Sequence, residues 1–159
     1  MLILGVDPGS RNTGYGVVLK EGNRLQHIVY GEIKPRKEEK FSGTLIEIYE
    51  RLSGVIGRTK PQAIALENIF YGKNVRSLVM QAQVRGVVIL SGAEKNTPIF
   101  EYSPLEIKKA VVGYGRAEKR QVQAMVRAIL KLPVLPPADA ADALAAAICH
   151  ANFFKETSL

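Results

Sequence analysis

The stretch MLILGVDPGSRNTGYGVVL, residues 1–19, decides the fold class of this 159-residue chain. It begins with an apolar run at residues 1–6 that stops at Asp7, where a Pro-Gly pair follows, and a second apolar run covers residues 15–19. Short apolar runs bounded by proline and glycine are typical of β-strands, because these two residues favour turns. With a third run at residues 24–33, the start of the chain predicts a meander of strands.

Beyond this meander, helical and extended patterns alternate along the chain. Apolar residues recur at helical spacing in several segments, and a capping box with proline at the first helical position begins a helix at Ser103. The predicted helices cover about residues 45–56, 75–89, 104–112, 117–130 and 138–153, and two short strands cover 63–66 and 99–102. Strands followed by alternating strands and helices predict an α/β layered fold with a mixed sheet.

Gly86 lies inside the second predicted helix. Glycine in a helix interior is less favourable than alanine by about 1 kcal/mol, so we expect a close approach of another backbone at this position. A dimer contact and packing in the core of the chain are the two explanations that the sequence leaves open.

Length and composition favour one domain. Hydrophobic residues make up 47% of the 159 residues, which is enough for one well-buried core and too little for two. We therefore predict a single domain over residues 1–155 with a short tail at 156–159. Apolar runs do not approach the roughly 18 residues of a membrane span, and the lone Cys149 has no intrachain disulfide partner, so we expect a cytoplasmic protein.

The charge balance favours a polyanionic partner. Lysine and arginine number 22 against 15 aspartate and glutamate residues, which gives a net charge of +7. Such an excess attracts nucleic acid, but many other soluble proteins carry it too. Charge alone therefore indicates a partner class without establishing it.

Two carboxylates stand where apolar strands end. Asp7 follows the first strand, and Glu67 follows the apolar run at residues 63–66. Strand ends of α/β sheets line ligand clefts, so both side chains are candidates for a site. The alternatives are that Asp7 only caps its turn and that Glu67 is a solvated surface residue.

Asp139 and Asp142 are three residues apart at the start of an alanine-rich helix, which puts both on one face. They could simply stabilise the positive end of the helix dipole. However, the surrounding residues are small and apolar, so the two acids would be partly desolvated unless a cation compensated them. Four converging carboxylates would suit Mg²⁺ or Mn²⁺, and two such ions about 3.5 to 4 Å apart can cleave a phosphodiester.

Four segments resemble one known family. GVDPGSRNTGYGVV at 5–18, ALENIF at 65–70, FEYSPLEIKKAVVGYGRAEKRQV at 100–122 and ADAADALAAAICH at 138–150 resemble the bacterial RuvC resolvases in order and spacing. The resemblance implies an RNase H-like fold, in which helices flank a five-stranded mixed sheet. It also implies a homodimer that nicks two opposing strands of a four-way (Holliday) junction, working with the branch-migration proteins RuvA and RuvB.

The resemblance also assigns expected roles to individual residues. Its four acidic metal-site positions correspond to Asp7, Glu67, Asp139 and Asp142, which would hold two Mg²⁺ ions, with Mn²⁺ able to substitute. Lys108 and Lys119 match basic positions near the active site that support DNA binding or cleavage. Phe70 matches an aromatic residue that stacks on junction bases.

The residues themselves agree with these DNA-binding roles without requiring them. Arg120, Arg127 and Lys131 form a basic stripe on one predicted helix, which could follow phosphates or be an ordinary solvated face. Phe70 beside Lys73 could stack on an unpaired base or belong to the core.

Three rival functions remain at this point. Another RNase H-like nuclease is the nearest, although the segment at 138–150 argues against it. An actin-like kinase would need two domains and a longer chain. A non-catalytic junction-binding protein would bind DNA without metal-dependent cleavage.

Overall fold

The fold is described from a computed structural model, which covers residues 1–37, 40–69, 72 and 74–154. Within these residues, one sheet contains five strands and is surrounded by five helices. The strands are β1 Leu2–Asp7, β2 Thr13–Glu21, β3 Arg24–Ile33, β4 Ala63–Glu67 and β5 Ile99–Tyr102. The helices are α1 Phe41–Thr59, α2 Val75–Ala93, α3 Pro104–Val112, α4 Lys119–Leu130 and α5 Ala138–Phe153.

The sheet has the order β3-β2-β1-β4-β5 and is mixed, as predicted. The first three strands form the expected antiparallel meander, while β4 and β5 add to β1 in parallel. In this arrangement Val6 pairs with Leu66, so β1 and β4 end side by side. Asp7 and Glu67, the last residues of these two strands, therefore lie at the same end of the sheet.

Each face of the sheet has its own apolar core. On one face, side chains such as Leu4, Val6 and Leu66 pack against α1 and α2. On the other face, Ile3 and Ala65 pack against the layer of α3, α4 and α5. The alternation follows from the strand period of two, because successive side chains point to opposite faces.

Helix α5 lies unusually close to the strands beneath it. A Cβ atom at Gly5 would be 1.8 Å from the carbonyl oxygen of Ala143, and one at Gly14 would be 1.9 Å from that of Asp139. Nearly all of the helix between Ala140 and Ala151 is buried. Glycine in the strands and alanine in the helix thus allow the backbones to approach, which brings the start of α5 to the end of β1.

Three details concern the remaining sequence expectations. A Cβ atom at Gly86 would meet nothing within 4 Å, so packing against the core of the chain is the wrong explanation for this glycine. Among the described residues, no helix is both long and apolar enough to cross a membrane. The tail predicted at 156–159 lies outside the described residues.

Candidate active site

Three carboxylates meet where β1 ends and α5 begins. Asp7, Asp139 and Asp142 each offer one oxygen atom to a group whose members lie within 4.8 Å of one another. All three residues are half-buried. The predicted convergence of acids from distant parts of the chain is therefore present for these three residues.

The turn after Asp7 is held by a residue that sequence reasoning did not single out. The Thr13 hydroxyl donates to the Gly9 carbonyl at 2.8 Å and accepts from the Gly9 amide at 3.4 Å, and Thr13 is fully buried. Thr13 thus supplies the hydrogen bonds of this turn, a role considered for Asp7. The carboxylate of Asp7 is left to face the other acids.

Glu32 is a further site residue that the sequence analysis missed. Its carboxylate accepts a hydrogen bond from the Asp139 amide at 3.3 Å and pairs with Lys34 at 3.2 Å. Residue Pro137, at the N-cap of α5, has no side chain that can cap the helix, so Glu32 supplies the missing acceptor. No local signal could reveal this contact, because it depends on Glu32 pairing with Gly14 across the sheet.

Glu67 stands beside this group at the end of β4. It is outside the 4.8 Å set, but its charge raises the pKa of Asp7, and burial followed by the charge of Asp142 raises its own pKa. The backbone continues the sheet for one more residue, since the Asn68 amide donates to the Tyr102 carbonyl at 2.8 Å. The sheet thus holds Glu67 on its β5 side, and the Glu67 carboxylate lies near the other acids.

The electrostatics of the site make Asp7 its most perturbed acid. Burial raises the pKa of Asp7 to about 7, and the charges of Asp142, Glu67 and Asp139 add to that effect. Burial likewise raises the pKa of Asp142, although Lys119 acts in the opposite direction. Burial and the repulsion between neighbouring carboxylates both disfavour the ionised forms. A bound cation would favour those forms, because its positive charge attracts the carboxylates.

A divalent metal fits the donor atoms of this site. All of the groups that converge are carboxylate oxygens, the ligands preferred by hard cations such as Mg²⁺, Mn²⁺ and Ca²⁺. The pKa of Asp7 is raised first by burial and then by the charges of three neighbouring carboxylates, and a bound cation would offset both effects. Asp7, Asp139 and Asp142, with Glu67 beside them, are therefore the residues that would hold the metal.

Two of the predicted basic residues lie at this centre. The Lys119 ammonium group is 3.1 Å from an Asp142 carboxylate oxygen, while most of its side chain stays exposed. Burial lowers the pKa of Lys119, but the charge and hydrogen bond of Asp142 outweigh burial and raise it. Lys108 is close enough for its charge to lower the pKa of both Glu67 and Asp142.

The other predicted DNA-binding residues have different outcomes. Arg120 is exposed on α4, one residue after Lys119, and remains a prediction. Arg127 uses its guanidinium to bind the carbonyls of Leu132, at 3.4 Å, and Pro133, at 3.1 Å. Arg127 is exposed, so these contacts leave open whether it also meets phosphates, and the stripe stays a prediction. Phe70 lies outside the described residues.

Comparisons with known proteins bear on the class of this site. The family model of crossover junction endodeoxyribonuclease RuvC matches residues 3–150. This chain belongs to the RuvC family. RuvC from Geotalea uraniireducens is 50% identical over 152 residues, covering 96% of the chain and 89% of the relative. RuvC from Ruminiclostridium cellulolyticum is 49% identical over 153 residues, covering 96% of the chain and 92% of the relative.

Solved structures agree with this family assignment. Thermus thermophilus RuvC in complex with Holliday junction substrate superposes with a TM-score of 0.90 at 33% identity, covering 95% of this chain and 93% of that one. The yeast mitochondrial Holliday junction resolvase, at 13% identity, has a TM-score of 0.67 over 94% of this chain and 78% of its own, which shows the fold alone.

Membership in the RuvC family distinguishes between the rival functions that the sequence left open. As a RuvC family member, the protein is a nuclease with an RNase H-like fold, and the kinase and binding-only alternatives are set aside. Membership also implies dependence on a divalent metal, in agreement with the acidic cluster.

Proposed function

We propose that this RuvC family member resolves Holliday junctions by hydrolysing one phosphodiester in each of two opposing strands, with Asp7, Glu67, Asp139 and Asp142 as ligands of two Mg²⁺ ions. The observation that carries the proposal is the meeting of three carboxylate oxygens within 4.8 Å, in a family of junction endonucleases. Mn²⁺ would substitute for Mg²⁺, because both prefer oxygen ligands.

The residues divide the work of hydrolysis between them. Bound ions of this kind supply a water activated for attack and a charge that stabilises the departing oxygen. Asp7 would hold a metal as the carboxylate, and a bound cation would favour that form although burial raises the pKa of Asp7 to about 7. The water oxygen would join phosphorus as the bond to the 3′ oxygen breaks; the water gives up a proton and the 3′ oxygen takes one, which leaves 5′-phosphate and 3′-hydroxyl ends.

Basic side chains would hold the DNA in this reaction. Lys119, from α4, presents a mostly exposed ammonium group at the rim of the acidic cluster, and Lys108 lies near Glu67 and Asp142. Both can neutralise a phosphate that would otherwise be repelled by the carboxylates. Arg120 extends the positive surface along α4, and Phe70 is proposed to stack on a junction base.

Two symmetric cuts call for a homodimer, and α2 offers a surface for it. Its outer face exposes a run of apolar and small residues at helical spacing, which a monomer would leave in water. The run consists of Val75, Val79, Ala82, Gly86, Ile89 and Leu90, of which Val75 is 70% and Leu90 53% exposed. Gly86 has open space around it, as a close contact with a second α2 requires.

The dimer is tested by sedimentation of the purified protein. We expect wild type to sediment as a dimer and Val79→Glu as a folded monomer. Ile46→Glu, a matched change at an apolar residue of α1 that is 58% exposed, should remain dimeric. A dimeric Val79→Glu protein would exclude this face as the interface.

We further propose that the protein acts in the cytoplasm alongside RuvA and RuvB.

Junction cleavage is tested with a labelled four-way junction and a linear duplex of the same sequence, each with and without Mg²⁺. We expect paired nicks in the junction only, and only with the metal. Asp7→Asn, Glu67→Gln and Asp142→Asn should each bind the junction without cutting it. Binding with no cutting by the wild-type protein would instead favour a junction-binding protein, and cleavage by any of these variants would remove that residue from the set of ligands.

A further inference from the structure

Arg85 makes two contacts beside the active site, one to a main-chain carbonyl and one to a half-exposed carboxylate. It extends from α2 and is only 8% exposed, although it carries a full charge. One guanidinium nitrogen donates to the main-chain carbonyl of Glu67 at 2.6 Å, and another lies 2.5 Å from a carboxylate oxygen of Glu101 on β5. A single side chain thus ties α2 to the ends of two neighbouring strands.

The Glu67 carbonyl lies beyond the last hydrogen bond between β1 and β4, so a strand does not supply a donor for it. Pairing between β1 and β4 ends at Val6 and Leu66, one residue before Glu67. On the other side, the ladder closes with the Asn68 amide and the Tyr102 carbonyl. Arg85 supplies a donor at the position where the sheet hydrogen bonds run out. Fixing this peptide also fixes the Cα–Cβ direction of Glu67, and so the point from which its carboxylate extends towards the site.

Arginine is suited to this place by its shape. Its planar guanidinium presents donors in a rigid fork, so it can hold the Glu67 carbonyl and the Glu101 carboxylate at fixed relative positions. A lysine ammonium has no such fork. An apolar side chain would fill the same space without placing a charge in the interior, so packing alone does not account for arginine here.

We propose that Arg85 is a positioning residue. It holds the main chain of Glu67 so that the Glu67 carboxylate can bind a metal together with Asp7 and Asp142. Arg85 touches neither substrate nor metal and acts through the main chain of Glu67. Removing contacts that orient metal ligands in this way lowers metal affinity and turnover. The inference rests on the proposed function, because it needs Glu67 to be a ligand.

The test measures metal binding separately from cleavage. The thermal midpoint of the DNA-free protein is followed as Mn²⁺ is added, since an ion that binds the folded state raises that midpoint. Arg85→Met should need about tenfold more Mn²⁺ for half of the rise. On four-way junctions its kcat should fall while KM stays unchanged. Arg85→Lys should recover part of both losses. Arg51→Met, which breaks an exposed Arg–Glu pair on α1, should behave as wild type.

The outcomes separate the two claims. A wild-type protein that Mn²⁺ does not stabilise would remove the proposed function, and this inference with it. A wild-type protein that responds, together with a folded Arg85→Met that responds at the same Mn²⁺ concentration, would overturn the role of Arg85 alone. Should Arg85→Met fail to fold, Arg85→Lys decides, because an unchanged Mn²⁺ requirement in that variant contradicts the proposal.

Discussion

Gly14 and Asp139 touch through their main chains: a Cβ atom on Gly14 would lie 1.9 Å from the Asp139 carbonyl oxygen. This contact puts the first acid of α5 next to the strand that pairs with Asp7. Gly14→Ala should therefore push α5 away, lowering the free energy of unfolding by about 1 to 3 kcal/mol and abolishing cleavage. Chemical denaturation and the junction assay measure the two effects.

A second glycine provides the control for this prediction. Gly57 is exposed in α1, and a Cβ there would meet nothing within 4 Å. Gly57→Ala should stabilise the protein by about 0.5 to 1 kcal/mol through helix propensity and leave cleavage unchanged. If Gly14→Ala behaved like Gly57→Ala, the close packing of α5 would not be what assembles the site.

The raised pKa of Asp7 predicts a stability cost in the metal-free protein. Its pKa goes from an ordinary value of 3.8 to about 7 on folding, so the folded state holds the proton more tightly than the unfolded chain. Protonation of Asp7 therefore adds to the free energy of unfolding. This contribution is fully present below about pH 4 and is lost as the pH rises through about 7. Asp7→Asn avoids this loss.

We therefore expect Asp7→Asn to be more stable than wild type at pH 8 in EDTA, by roughly 1 to 3 kcal/mol. The difference should shrink as the pH approaches 4, and added Mg²⁺ should stabilise only wild type. Thermal melts across this pH range measure it. A variant less stable than wild type at pH 8 without metal would show that ionised Asp7 does not destabilise the folded protein.

Glu32 caps the helix that carries two of the acids. Glu32→Ala removes the acceptor for the Asp139 amide, so we expect a loss of about 0.5 to 2 kcal/mol in unfolding free energy and a higher Mg²⁺ requirement for cleavage. Glu50→Ala, an exposed change on α1, is the control and should alter neither quantity. Equal behaviour of the two variants would mean that the cap does not hold α5 in place.

Lys119 pairs with Asp142, so under the proposed function it would compete with a bound metal as well as contact DNA. In Lys119→Met, Mn²⁺ should bind more tightly to the DNA-free protein, because the charge that partly neutralises Asp142 is gone. Junction binding should lose about one unit of its logarithmic salt slope. Lys95→Met, an exposed change beyond α2, should keep both values. Weaker Mn²⁺ binding in Lys119→Met would contradict this assignment.

Local patterns predicted much of the fold because they depend on neighbours in the sequence. The third strand was expected at 24–33 and runs from Arg24 to Ile33, and the helix predicted after Ser103 begins at Pro104 with the expected capping box. The second strand was predicted too short, at 15–19 instead of Thr13–Glu21. Gly14 and Gly16 suggest a turn, yet they lie in the strand because α5 needs the space above them.

Contacts between distant segments were beyond the reach of the sequence. Asp7, Glu67, Asp139 and Asp142 could be selected from strand ends and helix spacing, but their distances depend on how α5 crosses the sheet. Glu32 and Arg85 carry no motif, since each acts on a residue far away in the chain. The charge of Arg127 is evident from its residue type, but the two carbonyls that it binds are set by how the chain turns after α4.

The most direct test of the acidic site is anomalous scattering from crystals soaked in Mn²⁺. We expect manganese peaks bounded by the carboxylates of Asp7, Asp139 and Asp142, with Glu67 reaching the same ions, and no such peaks in crystals of Asp7→Asn. Manganese bound elsewhere in an active wild-type protein, with nothing between these carboxylates, would contradict the account.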